Sequence, residues 1–153
     1  MTDLADIIGR LAAASVIGGV IGINRNLHGK PTGLRTLALV GLGAATMVLV
    51  ATESSSDPGS VSRVLQGLLT GIGFLGAGVI LHDAGQQKVL GLTTAATIWV
   101  TACLGAACGI GAWRIVIAAA SIVAVLLILG GPLEKAIHRR LHGPKGSDGD
   151  HQS

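Results

Sequence analysis

The chain has 153 residues, of which half are hydrophobic, 12% charged and 2% aromatic, with a formal net charge of +3. Soluble domains carry roughly 25% charged residues, so this composition excludes an ordinary water-soluble fold. It suits a bilayer, which demands apolar surface facing outward and few charges.

The opening MTDLADIIGR places Asp3 and Asp6 before any base and lacks the basic start of a secretory signal. The first apolar run is therefore read as a retained span. Five apolar stretches follow one another: Leu4 to Ile23, Leu37 to Thr52, Val64 to Leu81, Val89 to Cys108 and Ile110 to Leu129. A span needs about 20 residues to cross a core of about 30 Å, so the second reaches only by including Gly33 and Leu34. In lipid the backbone must satisfy itself, which makes runs of this length helices. The expected fold is all-α, a polytopic helical membrane bundle of about five transmembrane helices.

The connections are short. NRNLHGKPTGLR (24–35) holds Gly29, Pro31 and Gly33, ESSSDPGS (53–60) and HDAGQQK (82–88) read as loops, and CGIGAW (108–113) suits a tight hairpin. After Gly130, Gly131 and Pro132 the chain becomes amphipathic, then ends in GPKGSDGDHQS, expected to be disordered. This divides it into a membrane domain, 1–131, and a basic tail, 132–153. Arg25, Lys30, Arg35, Lys88, Lys135, Arg139, Arg140 and Lys145 fall on one side of a five-span topology, against Arg10, Arg63 and Arg114 on the other. The positive-inside rule puts the C-terminus in the cytoplasm and the N-terminus outside. A first helix lying on the surface, with Asp6 and Arg10 as a polar stripe, is the alternative.

Gly71, Gly73 and Gly76 in TGIGFLGAGVIL spell G-x-G-x-x-G, the dinucleotide fingerprint. No strand pattern precedes them, and about 20 residues on lies TTAATIW without a carboxylate. Close helix packing explains them better: Gly67, Gly71 and Gly78 share one helical face with Phe74, and Gly73 and Gly76 form a second. The fourth stretch carries Thr94, Thr97 and Thr101 as a stripe with Thr93 beside it, hydroxyls that bond their own helix or reach a neighbour. Arg25 and Arg35 flank the first loop, while Asp57, Arg63 and Gln66 open the third stretch; ionisable groups at the membrane are candidates for functional polar contacts. Arg114 beside Trp113 reads as an interfacial anchor.

No carboxylate lies in the centre of a span, which argues against a Mg²⁺ or Ca²⁺ site. His138 and His142 sit beside Arg139 and Arg140 and read as a basic, lipid-facing segment. Cys103 and Cys108 lie about 140° apart on a helix and imply neither a disulfide nor a metal pair. Nucleophile elbow, HExxH and Walker A patterns are absent. No catalytic residue, cofactor, metal or nucleic-acid partner is expected.

The ordered runs G-K-P-T-G-L-R-T (29–36), D-P (57–58), S-R-V-L-Q-G (62–67), T-G-I-G-F-L-G-A-G-V-I-L (70–81), G-L-T-T-A-A-T-I-W-V-T-A (91–102) and G-x-G (109–111) resemble the membrane domain of the MgtC/SapB family. Thr36 enters the candidate set through these runs. The resemblance implies a bacterial inner-membrane protein of about five spans, tied to growth under magnesium limitation and to virulence. It also implies action on another membrane complex, the F-type ATP synthase having been proposed, with direct Mg²⁺ transport doubted. Many members have G-x-E-R-E after the first span where this chain has Gly22, Asn24, Arg25 and Asn26. Many also add a soluble C-terminal domain, whereas this chain stops soon after its last span. The expected function is non-enzymatic modulation of a membrane complex or of ion balance. A small ion transporter or channel, oligomeric and lined by glycine and threonine faces, is the alternative.

Overall fold

A computed structural model describes residues 3–55, 57, 59–83 and 88–142. Five helices account for most of them: α1 (Leu4–Leu27), α2 (Leu34–Ser54), α3 (Ser60–Gly78), α4 (Leu92–Ile110) and α5 (Trp113–His142). The helical bundle expected from composition is present. The chain divides into two compact units, Met1–Ala120 and Ser121–Ser153, with the division inside α5.

Four helices are long and apolar enough to cross a bilayer, namely α1, α2, α4 and the Trp113–Gly131 part of α5. The 19 residues of α3 would rise about 28 Å, yet Arg63, Gln66 and its glycines dilute its hydropathy and it is not among the four. Its position also differs from the apolar run, which reaches Leu81. The chain leaves the helix at Val79, and Leu81–Asp83 pairs antiparallel with Lys88–Leu90 in a small ribbon, Leu81 opposite Leu90. The expected plain loop at 82–88 is thus partly a hairpin, whose tip at 84–87 lies outside the described residues. Val89 and Leu90, expected in the fourth helix, belong to the ribbon because Gly91 interrupts: its φ is +93°, and a Cβ there would collide with the carbonyl of Val79.

Other helix ends follow familiar chemistry. Gly111 closes α4 at φ +81°, with its N–H on Cys108 and the N–H of Ala112 on Ala107. Before α3, the carboxylate of Asp57 accepts the N–H of Gly59 at 2.8 Å. Toward the C-terminus α5 continues through Gly130, Gly131 and Pro132, beyond the apolar run that ends at Leu129. A proline removes one backbone donor, and the following EKAIHRRLH continues the helix. The expected disorder of 143–153 lies outside the described residues.

The core is built by backbones in contact. A Cβ at Gly41 of α2 would lie 2.6 Å from the carbonyl of Ala14 in α1, and one at Gly22 of α1 2.6 Å from the Cα of Leu34 in α2. On α4, a Cβ at Gly109 would lie 2.7 Å from the carbonyl of Ala45, and at Gly105 it would collide with the carbonyl of Gly41. Gly18 meets Leu37 in the same way. Three small-x-x-x-small pairs, Gly18/Gly22, Gly41/Ala45 and Gly105/Gly109, thus bring α1, α2 and α4 together, as glycine does in membranes. α1 runs antiparallel to α2 and α4, which run parallel to each other. Ala14, Ala45, Cys108 and Val116 of α5 close one end of this core.

The packing expected on the third helix is therefore corrected. A Cβ at Gly67, Gly71, Gly73 or Gly78 would meet nothing within 4 Å, and Phe74 is 80% exposed. Of the five glycines singled out there, Gly76 alone approaches a neighbour, with its Cβ position 3.6 Å from that of Ala95. α3 rests on the bundle by the face of Ile72 and Gly76, its two buried residues. Glycine spacing marks a face that can be approached and leaves open which helix approaches it.

Candidate functional site

Arg25 lies in the last turn of α1 and is 3% exposed. Its guanidinium reaches two other pieces of chain, the α1–α2 connection and α4. Nε and Nη2 donate to the carbonyl of Pro31 at 3.1 and 2.9 Å, Nη2 also donates to Thr94 Oγ1 at 2.6 Å, and Nη1 donates to Thr97 Oγ1 at 3.1 Å. The acceptors are hydroxyl and carbonyl oxygens, all neutral. The Thr97 hydroxyl in turn donates to the carbonyl of Thr93 at 2.7 Å, and the Thr101 hydroxyl donates to the carbonyl of Thr97 at 2.8 Å. The loop wraps the same arginine: the N–H groups of His28 and Lys30 donate to the Arg25 carbonyl, while Gly29 and Thr32 take φ of +62° and +61°.

This arrangement answers the electrostatic question raised by a buried cation. Removing a charge from water costs several kcal/mol unless hydrogen bonds replace the hydration. Four N–H···O contacts do so here, and the C-terminal end of α1 supplies a negative helix dipole. The planar fork of arginine is what allows three partners at once.

A second arginine holds the opposite end of α1. Arg10 Nη1 donates to the carbonyl of Gly109 at 3.0 Å, close to the C-terminus of α4. The Asp6 carboxylate lies 2.8 Å from Nε as an ion pair, at an angle that does not make a hydrogen bond. Arg10 also fills the space beside Gly111, where a Cβ would lie 2.9 Å from its Cζ. Asp6 and Arg10 thus serve a helix packed along its length on α2 and α4, which disfavours the surface-lying alternative.

Of the nine polar candidates, the structure unites Arg25 and Thr94. Thr93 is exposed and contributes its backbone carbonyl. Asn24 is half-buried, and its carbonyl accepts from His28 Nδ1 at 2.7 Å. Arg35 and Thr36 lie exposed in the first turn of α2. Asp57 and Arg63 form an exposed ion pair with each other at the start of α3, and the Arg63 hydrogen bond, aided by the Gly59 N–H, holds the Asp57 carboxyl below the usual carboxylate range. Gln66 is exposed on the same helix. Thr97 and Arg10 were missed as site residues. The i, i+3 spacing of Thr94 and Thr97 was the available signal for the former, and the charge pair with Asp6 for the latter. Among the described residues no group of three His, Cys, Asp or Glu side chains could hold a metal ion. Cys103 and Cys108 are free thiols.

The chain matches the MgtC family over residues 11–136. It is 46% identical over 117 residues to SrpB of Synechococcus elongatus, covering 69% of this chain and 64% of that protein. It is 39% identical over 140 residues to MgtC of Salmonella typhimurium, covering 92% and 58%. A third relative is YhiD of Escherichia coli K12, whose name proposes a magnesium transporter, 41% identical over 118 residues and covering 72% and 54%. The chain therefore spans between about half and two thirds of these curated relatives. No solved structure matches it at a significant level. Apolar helices of spanning length and a family match that takes in both the Arg25 centre and the glycine-packed core make this chain a helical membrane protein of the MgtC family.

Proposed function

We propose that this chain is a non-enzymatic protein of the bacterial inner membrane that modulates another membrane complex, or the ion balance, during adaptation to magnesium limitation or in virulence. The observation that carries this reading is the Arg25 centre. A buried guanidinium with neutral acceptors puts a positive charge between α1 and α4, where low dielectric strengthens its repulsion of a divalent cation. The backbone contacts of Gly41 with Ala14 and of Gly105 with Gly41 leave no room for an ion between α1, α2 and α4. A tightly packed bundle with an exposed α3 suits a protein that acts by docking on another membrane protein. An F-type ATP synthase is the partner that the family resemblance suggests.

One observation favours a transporter. A cleft of about 470 Å³ separates α2 from α3, lined by Met47, Arg63, Gly67 and Gly71 among others, and in an oligomer the glycines of α3 could border a path. Reconstitution separates the two. The purified chain in proteoliposomes is expected to give no Mg²⁺ flux above empty vesicles, while a detergent pull-down recovers a membrane partner. Flux that saturates with Mg²⁺ would sink the modulator reading.

A further inference from the structure

The α1–α2 connection is short, basic and free of acids. Residues 28–33 join two helices of spanning length. Between Asp6 and Glu53 the sequence holds no carboxylate, while Arg25, Lys30 and Arg35 bring three positive charges to this one end. Lys30 and Arg35 are exposed, and neither has an ion pair among the described residues. Arg25 beneath them is matched by neutral oxygens, so its field is not cancelled locally. Apolar exposure flanks the charges: Leu27 is 79% exposed at the end of α1 and Leu34 42% exposed at the start of α2.

Reach decides what this surface can meet. Six residues extend at most about 20 Å end to end, so a loop that goes out and returns rises no more than roughly 10 Å. Its bonds to Arg25 through Lys30 and Pro31 hold it closer still. The charges therefore stay within about one Debye length of the bilayer surface, where lipid phosphates are. Exposed leucines beside exposed bases fit acyl chain and headgroup together, which a water-soluble acidic partner would not offer.

We propose that the 27–36 segment is a binding surface for anionic phospholipid headgroups, pre-organised by Arg25 and engaging phosphate through Lys30 and Arg35. The inference is independent of whether the protein modulates a partner or moves an ion.

The test uses the full chain in a mild non-ionic detergent, with phosphatidylglycerol or phosphatidylcholine titrated in and binding followed by native mass spectrometry and thermal shift. Phosphatidylglycerol should bind more tightly. Lys30→Gln or Arg35→Gln should weaken it about fivefold and the double variant about 25-fold, from the usual strength of a base at a membrane surface. Lys30→Arg should retain binding, and Arg114→Gln, which removes an exposed base beside Trp113, should keep the high-affinity step. Equal binding of the two lipids by the wild-type chain would overturn the proposal without recourse to variants. So would equal losses in Arg114→Gln and the double variant, or displacement of phosphatidylglycerol by millimolar inorganic phosphate. Circular dichroism on each variant separates loss of binding from loss of fold.

Discussion

Arg25 organises its neighbourhood because it can donate in several directions from one rigid plane. Its bonds join residues 69 and 72 positions apart in sequence, Thr94 and Thr97, and hold the Pro31 carbonyl between them. Lysine at this position offers one flexible ammonium and cannot hold the three pieces together. Thr97→Val keeps shape but leaves Nη1 without its acceptor, which should cost about 1–3 kcal/mol as an unsatisfied buried donor. Arg25→Met removes the charge along with the need for acceptors and should cost less than Thr94→Val with Thr97→Val combined, since breaking a buried polar set is worse than deleting it. Thermal unfolding in detergent, followed by circular dichroism, checks the order. A double threonine variant as stable as wild type would mean that water, not the hydroxyls, satisfies the guanidinium. Arg25 and Thr94 were legible because an ionisable group near a span and a hydroxyl stripe are conspicuous in so apolar a chain. Their pairing was not, since periodicity gives a helix face and says nothing of the face opposite.

At the scale of elements the same limit applies to glycine. Three helices, α1, α3 and α4, carry glycines at helical spacing, and the most conspicuous run, on α3, is the one that meets least within this chain. The pairs that matter, Gly18/Gly22, Gly41/Ala45 and Gly105/Gly109, are visible in the sequence but no more prominent than their surroundings. Gly105→Ala should push α4 away from the carbonyl of Gly41, a fixed backbone atom, and destabilise by about 1–3 kcal/mol. Gly71→Ala has open space and exchanges a poor helix former for the best one, so it should be neutral or stabilising by up to about 1 kcal/mol. The pair of variants, compared in the same detergent, isolates packing from propensity. A Gly71→Ala loss as large as that of Gly105→Ala would restore close packing on α3 and require a neighbour outside this chain. The helix ends were shifted for a related reason: Leu81, Val89 and Leu90 are apolar enough to extend the runs. The +93° φ of Gly91 and the ribbon pairing that cut them short depend on contacts between strands.

For the molecule as a whole, the first compact unit has two chemically distinct ends. One gathers Arg25, the 28–33 loop, the base of the small ribbon and the start of α4; the other gathers Asp6, Arg10, the Asp57–Arg63 pair and the end of α4. Antiparallel α1 and α2 fix this division whatever the membrane does. Which end faces the cytoplasm is then set by lysine and arginine in the short connections, and Arg25, Lys30, Arg35 and Lys88 at the loop end outnumber Arg10, Arg63 and Arg114 at the other. We therefore expect Lys30 inside and Asp57 outside. Cysteines placed at these two positions, in a chain with Cys103 and Cys108 changed to alanine, report this directly. A membrane-impermeant thiol reagent added to intact spheroplasts should label Asp57→Cys and spare Lys30→Cys until the membrane is opened. Labelling in the reverse pattern would show that the acid-free loop faces outward. The headgroups available to Lys30 and Arg35 would then be those of the outer leaflet, and any partner docking at this end would have to present its surface there.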